Sequence, residues 1–284
     1  AMEQETRKQQ TRLSPGEKNH RKRMATVVSV YEIDRYPRSP EQILDPEHRP
    51  EQKRPQPCHK RTWARVEADL KAMIEQGFQE AIRRDPDQRL HWVVLTDGQE
   101  DLLRQVYAAA KRYKVEITVV QDFVHVLEYL WKAGHALHPE EPEARESWVQ
   151  DRAAAVLAGR APDVAVGLRR AATRKQLSQN ERNPVDKAAD YIENNQERLQ
   201  YDQALAQGLP IATGVIEGAC RHLVKDRMDI TGARWGLQRA EAILKLRSLK
   251  ISGDLPAYMA FHFHQEARRN YPGPPIPVVC DEAA

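Results

Sequence analysis

The sequence predicts an α/β protein with a small sheet in the first half of the chain and a helical second half. Two short apolar runs, HWVVLT (91–96) and VEITVV (115–120), flank a segment with helical spacing. This is the pattern of a buried βαβ unit, whose strands are parallel and joined by a right-handed crossover. Beyond Asp122 the apolar residues recur at helical spacing and no further strand pattern follows. We therefore expect one small sheet joined to a large helical region.

The composition is that of a globular protein. The chain has 284 residues, 40% of them hydrophobic and 30% charged, which is enough for one large domain or two small ones. No apolar run approaches the roughly 18 residues of a membrane helix, so we expect a cytoplasmic protein without membrane contact. The three cysteines, Cys58, Cys220 and Cys280, are widely spaced without a CxxC pair, which indicates neither a disulfide framework nor a zinc knuckle.

Charge is unevenly distributed along the chain. The net charge is only +3, but basic residues cluster at 7–23 and again at 221–250. Such local basic surface suits a polyanionic partner. A solvated helix face explains either cluster equally well when it is considered separately.

The first third of the chain contains several different patterns. Residues 1–23 are polar and basic without an apolar period, which predicts disorder or a frayed helix end. The β-branched run at 24–34 predicts a strand, and the proline-rich segment at 35–60 predicts a loop. From Trp63 to Ile82 the apolar residues keep helical spacing, so we expect a helix there.

The remainder alternates between the predicted βαβ unit and helices. The strand at 91–96 ends at Asp97-Gly98, a helix follows at about 100–113, and a second strand spans 115–120. Apolar periodicity then predicts a series of further helices. Their predicted ranges are about 123–136, 143–157, 163–176, 184–198, 214–228, 237–251 and 254–269.

Acidic residues follow both predicted parallel strands. Functional groups often gather beyond the carboxyl ends of such strands, where Asp97 and Asp122 are expected, with His125 three residues further on. Each residue has a purely structural alternative. Asp97 in an Asp-Gly pair favours a turn, Asp122 is suited to capping the next helix, and His125 is suited to packing.

A third acid, Glu217, falls in the first turn of the helix predicted at 214–228. One interpretation is a surface salt bridge to Arg221, four residues on. The other is a metal ligand. Carboxylates gathered at one sheet edge suit Mg²⁺, which takes hard oxygen ligands together with phosphate oxygens. Arg221 and Lys225 would then lie near a phosphate backbone.

Three segments carry a family resemblance: VVLTDGQEDL (93–102), DFVHVLEYLWKAGHAL (122–137) and PIATGVIEGACRHLVKDRMDITGARWGLQRAEAILKLRSL (210–249). In this order they resemble the DDE transposases of bacterial insertion sequences, specifically the ISKra family of the Mutator-like group. The resemblance runs from about residue 17 to 270. It implies an RNase H-like core that cuts and joins element-end DNA with two Mg²⁺ ions, or Mn²⁺, held by two aspartates and a glutamate.

The resemblance assigns roles residue by residue. Asp97 matches the second catalytic aspartate and Glu217 the glutamate, so both are implied metal ligands. Asp122 and His125 match the C/D-x-x-H signature, which supports the active site or handles a DNA strand. Trp235 either stacks on a base or packs. The residues implied to contact DNA are Arg221, His222, Lys225, Arg227, Arg234 and Trp235.

The same resemblance implies a division of the chain. A basic disordered or frayed N-terminus (1–23) precedes a partial RNase H-like core (24–125) that contains the proline-rich loop 35–60. An all-helical insertion (126–212), closing helices of the catalytic core (213–270) and a disordered tail (271–284) follow.

One feature of the family pattern has no match. Its first catalytic aspartate lies in a VSVDG-like segment before the strand at 24–34, and Asp34 ends the wrong strand. We therefore expect an N-terminally truncated transposase that is inactive alone, with DNA as partner, a homo-oligomer at full length, and a cytoplasmic, nucleoid-associated location. The alternative is a non-catalytic DNA-binding remnant that interferes with intact transposase.

Overall fold

The computed structural model describes residues 24–45, 47, 53–230 and 235–271. The segments predicted to be disordered, 1–23 and 271–284, lie outside these residues except for Tyr271, and Arg234 also lies outside them. The strands are β1 (Thr26–Glu32), β2 (Cys58–Arg65), β3 (Trp92–Thr96) and β4 (Ile117–Gln121). Within the described ranges, no helix is both long enough and apolar enough to span a bilayer.

Helices make up most of the described chain. Helices α1 to α3 lie among the strands at Pro40–Leu44, Leu70–Arg84 and Glu100–Tyr113. The central helices are α4 (Phe123–Leu137), α5 (Pro142–Leu157), α6 (Ala161–Arg174), α7 (Gln179–Asn194) and α8 (Tyr201–Ala206), with a 3-10 turn at Gln196–Arg198. The last helices are α9 (Gly214–Ala219), which continues through a π-helical stretch (Cys220–Lys225) into α10 (Asp226–Met228), then α11 (Leu237–Ile251) and α12 (Leu255–Asn270).

The first two strands form an antiparallel pair, which the sequence predicted only in part. β1 is confirmed, but the predicted helix from Trp63 is wrong at its start, because Trp63 lies in β2 opposite Val28. Helix α2 begins only at Leu70, after Asp69 caps its N-terminus. The inward-facing residues of β2 are the small Thr62 and Ala64. The alternation of apolar and polar residues that marks a strand is therefore not visible in this sequence.

The predicted proline-rich loop also contains regular structure. Helix α1 forms inside it, where Ser39 and Gln42 make a capping box, which satisfies free backbone N–H groups of the first turn. The loop ends earlier than residue 60, since β2 begins at Cys58. A second strand before α2 therefore exists, contrary to the expectation of only one.

The second pair of strands confirms the predicted βαβ unit. β3 and β4 are parallel, with Trp92 opposite Ile117 and Thr96 opposite Gln121. Helix α3 connects them, and its bounds match the prediction. The α/β class is thus established, in a chain that is mostly helical.

The described residues form two sheets of two strands each. In the described part of the chain, no strand pairs with the second edge of β1 or of β3. The second edge of β2 is covered by α11 and the residue that follows it, because the Ser252 hydroxyl accepts from Thr62 N at 3.0 Å and donates to Thr62 O at 3.2 Å. Such covering is a common way to protect a sheet edge.

Helix α2 packs on strands of both sheets. Its Phe78 packs with Trp92 of β3, with ring centroids 6.2 Å apart. A Cβ atom at Gly77 would lie 3.3 Å from Val28 Cγ1 of β1, so helix and strand are in close contact. The two sheets are therefore held side by side by a shared helix.

The largest apolar core lies between helices α4 to α8. Its central side chains are fully excluded from solvent, among them Leu130, Val185 and Ile192. Val120 of β4 and Phe123 of α4 join the same cluster, and Phe123 contacts the Tyr201 ring edge-on at 5.4 Å. The helical core thus begins directly at the end of strand β4.

Candidate active site at the ends of strands β3 and β4

Two acidic residues follow the paired ends of the parallel strands. Asp97 comes after Thr96 and Asp122 after Gln121, and Asp122 N donates to Thr96 O at 2.8 Å. Asp97 is exposed, and its Oδ1 accepts from Gln99 N at 3.1 Å. The parallel register therefore brings both residues to one edge of the sheet.

The turn after Asp97 requires glycine. Gly98 has φ +87°, and a Cβ there would lie 2.5 Å from Gln121 Nε2. Side chains disfavour this backbone region, and the buried Gln121 amide leaves no space for one. The Asp-Gly pair thus has the turn role that local chemistry predicts, and the turn leaves the Asp97 carboxylate in solvent.

Asp122 links three parts of the chain. Its carboxylate is buried and caps helix α4 by accepting from Val124 N at 3.0 Å. It also accepts from Thr213 N at 3.3 Å and from the Thr213 hydroxyl. Nearby, Phe123 N donates to Ile211 O at 2.8 Å. Because its oxygens are occupied by these donors, Asp122 has a structural role at this site.

The Thr213 contact positions Glu217. Helix α9 begins directly after Thr213, and Glu217 N donates to Thr213 O at 3.0 Å. Glu217 is therefore one helical turn from the residue that is bound to Asp122, and it is exposed. In the described part of the chain, Glu217 forms no ion pair with Arg221, so the surface salt bridge that the sequence allowed is not formed.

Sequence reasoning missed Tyr191 of helix α7. Its hydroxyl donates to Asp97 O at 3.0 Å and accepts from Gln121 Nε2. Burial raises the pKa of Tyr191 well above its usual value, and the nearby Tyr129 hydroxyl and Asp97 carboxylate add to the rise. The hydroxyl therefore stays protonated and holds the loop that carries Asp97. No local pattern marks this contact, which spans 94 residues of sequence.

His125 lies in an aromatic group beside this loop. Its ring meets Tyr129 at 5.5 Å and Tyr191 at 5.6 Å, both edge-on. The two tyrosine rings stack at 4.1 Å, an arrangement that adds stability beyond simple burial. The ring of His125 is thus packed against aromatic side chains, and its Nδ1 lies 3.5 Å from Glu128 Oε2.

The predicted DNA-contacting residues lie mainly on the α9–α10 segment. Arg221, His222, Lys225 and Arg227 are exposed. His222 is not free, because its Nδ1 lies 2.9 Å from Asp226 Oδ2. The exposed basic side chains of this segment therefore alternate with exposed acids, Glu217 and Asp226 among them.

The opposite side of the segment is anchored. Leu223 is fully buried, and the guanidinium of Arg247 from α11 donates to Leu223 O at 2.9 Å and to His222 O. These bonds occupy carbonyls of the π-helical stretch, a rare form that is frequent at functional sites. The basic side chains thus project from a fixed backbone.

Trp235 follows four residues that lie outside the described ranges. Its ring packs under the Arg227 guanidinium, 5.3 Å from the ring centroid to Cζ. Its indole N–H is buried and has no hydrogen-bond partner among the described residues. Packing is therefore the observed arrangement for Trp235.

The acids fit part of a magnesium site. Asp97 and Glu217 are exposed carboxylates of the kind that Mg²⁺ uses, and Mg²⁺ needs only one or two of them together with phosphate oxygens and water. Among the residues that the structure describes, the only three metal-binding side chains that meet are Glu32, Cys58 and His59. Within the described ranges, Asp97 and Glu217 therefore belong to no such group of three ligands.

Comparison with known proteins gives no relative for this chain. No family model, no curated protein and no solved structure matches it. Assignment of a function therefore depends on the site geometry and on the sequence motifs.

Proposed function

We propose that this chain is part of a DDE-type transposase and carries two of its metal-binding carboxylates, Asp97 and Glu217. The observation that supports this most directly is the pair of hydrogen bonds from Thr213 to Asp122. They attach the start of the Glu217 helix to the end of β4, next to the strand that Asp97 follows. In this proposal the link brings Asp97 and Glu217, which are 120 positions apart in sequence, to one sheet edge.

Each side chain has a defined role in this proposal. Asp97 and Glu217 bind the cation, Asp122 orients helix α9, and Tyr191 holds the Asp97 loop. Arg221 and Lys225 contact the DNA phosphates, where guanidinium and ammonium groups form charge-assisted hydrogen bonds. Bound Mg²⁺ would supply activation of the attacking oxygen and stabilisation of the leaving oxygen.

The finer assignments are part of the same proposal. Residues 24–125 would correspond to a partial RNase H-like core, residues 126–212 to its all-helical insertion and residues 213–270 to its closing helices. Element ends and target DNA would be the partners, with a homo-oligomer as the active form in the bacterial cytoplasm. Two carboxylates leave a pair of ions without fixed geometry, so we expect the chain alone to be inactive in strand cleavage.

The test measures whether metal and DNA bind cooperatively. Because phosphate oxygens complete the coordination of the cation, a DNA duplex should tighten Mn²⁺ binding by about tenfold or more, and Mn²⁺ should tighten DNA binding by the same factor. Mn²⁺ binding is followed by electron paramagnetic resonance with and without duplex. Asp97→Asn and Glu217→Gln should each abolish the coupling.

Matched variants distinguish effects on DNA binding from effects on metal binding. Arg221→Ala with Lys225→Ala should weaken DNA binding and reduce its salt dependence, while leaving Mn²⁺ affinity without DNA unchanged. Glu146→Gln, an exposed acid on helix α5, should change neither quantity. Equal Mn²⁺ affinity with and without duplex would contradict the catalytic proposal.

A second candidate function is a DNA-binding protein without catalysis. It is favoured because Asp97 and Glu217 belong to no three-ligand group among the described residues, while Arg221, Lys225 and Arg227 are exposed. Salt-dependent DNA binding that needs no divalent cation, and that survives Asp97→Asn, would support it over the catalytic proposal.

A further inference from the structure

Three side chains with metal-binding atoms meet at the end of the β1–β2 pair. Glu32 of β1 faces Cys58 of β2, and His59 follows Cys58. One potential ligand atom from each residue lies within 4.8 Å of the others. Glu32 Oε2 is 3.1 Å from His59 Nδ1, and Cys58 Sγ is 3.4 Å from Glu32 O. This group is separate from Asp97 and Glu217.

An unusual backbone conformation brings the three together. Neighbouring residues in a strand point to opposite faces, so Cys58 and His59 would normally diverge. His59 instead has φ 48°, a left-handed conformation that non-glycine residues adopt at a cost. The register also shifts between Val30 and Glu32. The two irregularities place the thiol, the imidazole and the carboxylate on one side.

The nearest arginine does not form a hydrogen bond to the Glu32 carboxylate. Arg84 Nη1 lies 3.9 Å from Glu32 Oε1, but its guanidinium is bound by Glu80, with Nε and Nη2 at 2.8 and 2.7 Å from Glu80 Oε1. The same guanidinium donates to His59 O. Arg84 therefore fixes the backbone of His59, and its hydrogen bonds go to Glu80 and to His59 O rather than to the Glu32 carboxylate.

We propose that Glu32, Cys58 and His59 bind Zn²⁺. A thiolate, an imidazole and a carboxylate are the ligands that zinc combines in proteins, while Mg²⁺ and Ca²⁺ require oxygen ligands. Three protein ligands leave a fourth tetrahedral position for water. The ion would join β1 to β2 where the ladder is irregular, and it would stabilise the folded state because the unfolded chain does not assemble the site. This inference is independent of the proposed transposase function.

The test uses a variant in which Cys58 is the only thiol. In Cys220→Ser/Cys280→Ser protein, Zn²⁺ is titrated in competition with a chromophoric chelator, and one ion per chain is expected. Adding Cys58→Ser or His59→Gln should weaken the affinity by about tenfold or more. A large excess of Mg²⁺ should not displace the zinc.

Cobalt substitution shows which atoms bind. Co²⁺ in the Cys58-only variant should give the near-ultraviolet charge-transfer band of a thiolate ligand, and Cys58→Ser should remove that band. Since Cys58 is exposed, its replacement should leave the circular dichroism spectrum unchanged. Stoichiometric binding that survives Cys58→Ser, or cobalt binding without the thiolate band, would overturn the proposal.

Discussion

The helical region from α4 to α8 and the region of the four strands bury their side chains to very different degrees. Leu130, Leu157 and Ile192 in the helical region have 0% exposure, whereas every residue of β1 and the apolar run of β3 stay half-buried. A helix satisfies its backbone hydrogen bonds internally, but a strand needs neighbours on both edges. The helices therefore enclose a core with one another, whereas within the described residues the strands lack neighbours on some of their edges.

Matched leucine truncations should make this contrast measurable and give the largest effect. Leu130→Ala in α4 creates a cavity in a closed core and should cost about 3 to 4 kcal/mol. Leu95→Ala in β3 should cost about 1 kcal/mol, since this side chain is only partly buried. Urea unfolding of both variants checks the difference. Equal losses would show that the strand region is packed as well as the helical one.

The stability of the strand region should depend strongly on a buried charge network. Buried Glu80 of α2 accepts hydrogen bonds from Arg61, Arg83 and Arg84. Burial raises the pKa of Glu80, but the bonds from Arg84, Arg83 and Arg61 outweigh it and hold this pKa below its usual value. Glu80→Gln should therefore cost about 3 kcal/mol at neutral pH.

The pH dependence of that loss has a defined sign. Because the folded-state pKa of Glu80 is lowered, its contribution is complete above the unfolded-state pKa and disappears as the pH falls through the folded-state pKa. The stability difference between wild type and Glu80→Gln should therefore shrink in acid. A difference that is constant from neutral to acidic pH would contradict the assignment of the charge network.

Tyr191 of the helical region binds the loop after β3, so removal of its hydroxyl should lower the stability of the protein and loosen this loop. Tyr191→Phe removes the donor to Asp97 O and leaves the buried Gln121 amide unpaired, since Gln121 Oε1 already lacks a partner in the described structure. We expect a loss of about 1.5 kcal/mol and faster hydrogen exchange in the loop after β3. Tyr258→Phe in α12, where the ring is more exposed, should change neither.

The smallest effect is expected at a surface ion pair of the strand region. Arg104 and Asp101 of α3 are in contact, and both side chains are mostly exposed. Solvent screens such a pair, so Arg104→Ala should change the free energy of unfolding by less than about 0.5 kcal/mol. A larger loss would mean that exposed charges also hold the strand region together.

Much of the fold could be predicted because its signals are local. The apolar runs of β3 and β4 and the helical periodicity of α3 and α4 each lie within one segment, and the structure confirms these elements. β2 was missed because its inward residues Thr62 and Ala64 are small, while Trp63 and Val66 happen to match helical spacing.

The candidate site could likewise be predicted only where its signals are local. The positions of Asp97 and Asp122 follow from strand ends, which a sequence displays. The links from Thr213 to Asp122 and from Tyr191 to Asp97 join residues 91 and 94 positions apart. Contacts of this kind depend on how the helices pack, and they leave no mark in the local sequence.

The central claim is that Asp97 and Glu217 bind the same cation. A double-mutant cycle with wild type, Asp97→Asn, Glu217→Gln and the double variant tests it through the Mn²⁺ affinity in the presence of DNA. If both carboxylates bind one ion, each single change should lower the affinity by about tenfold or more, and the double variant should lose little beyond either single variant. Losses that simply add, or an affinity unchanged by both substitutions, would contradict the account.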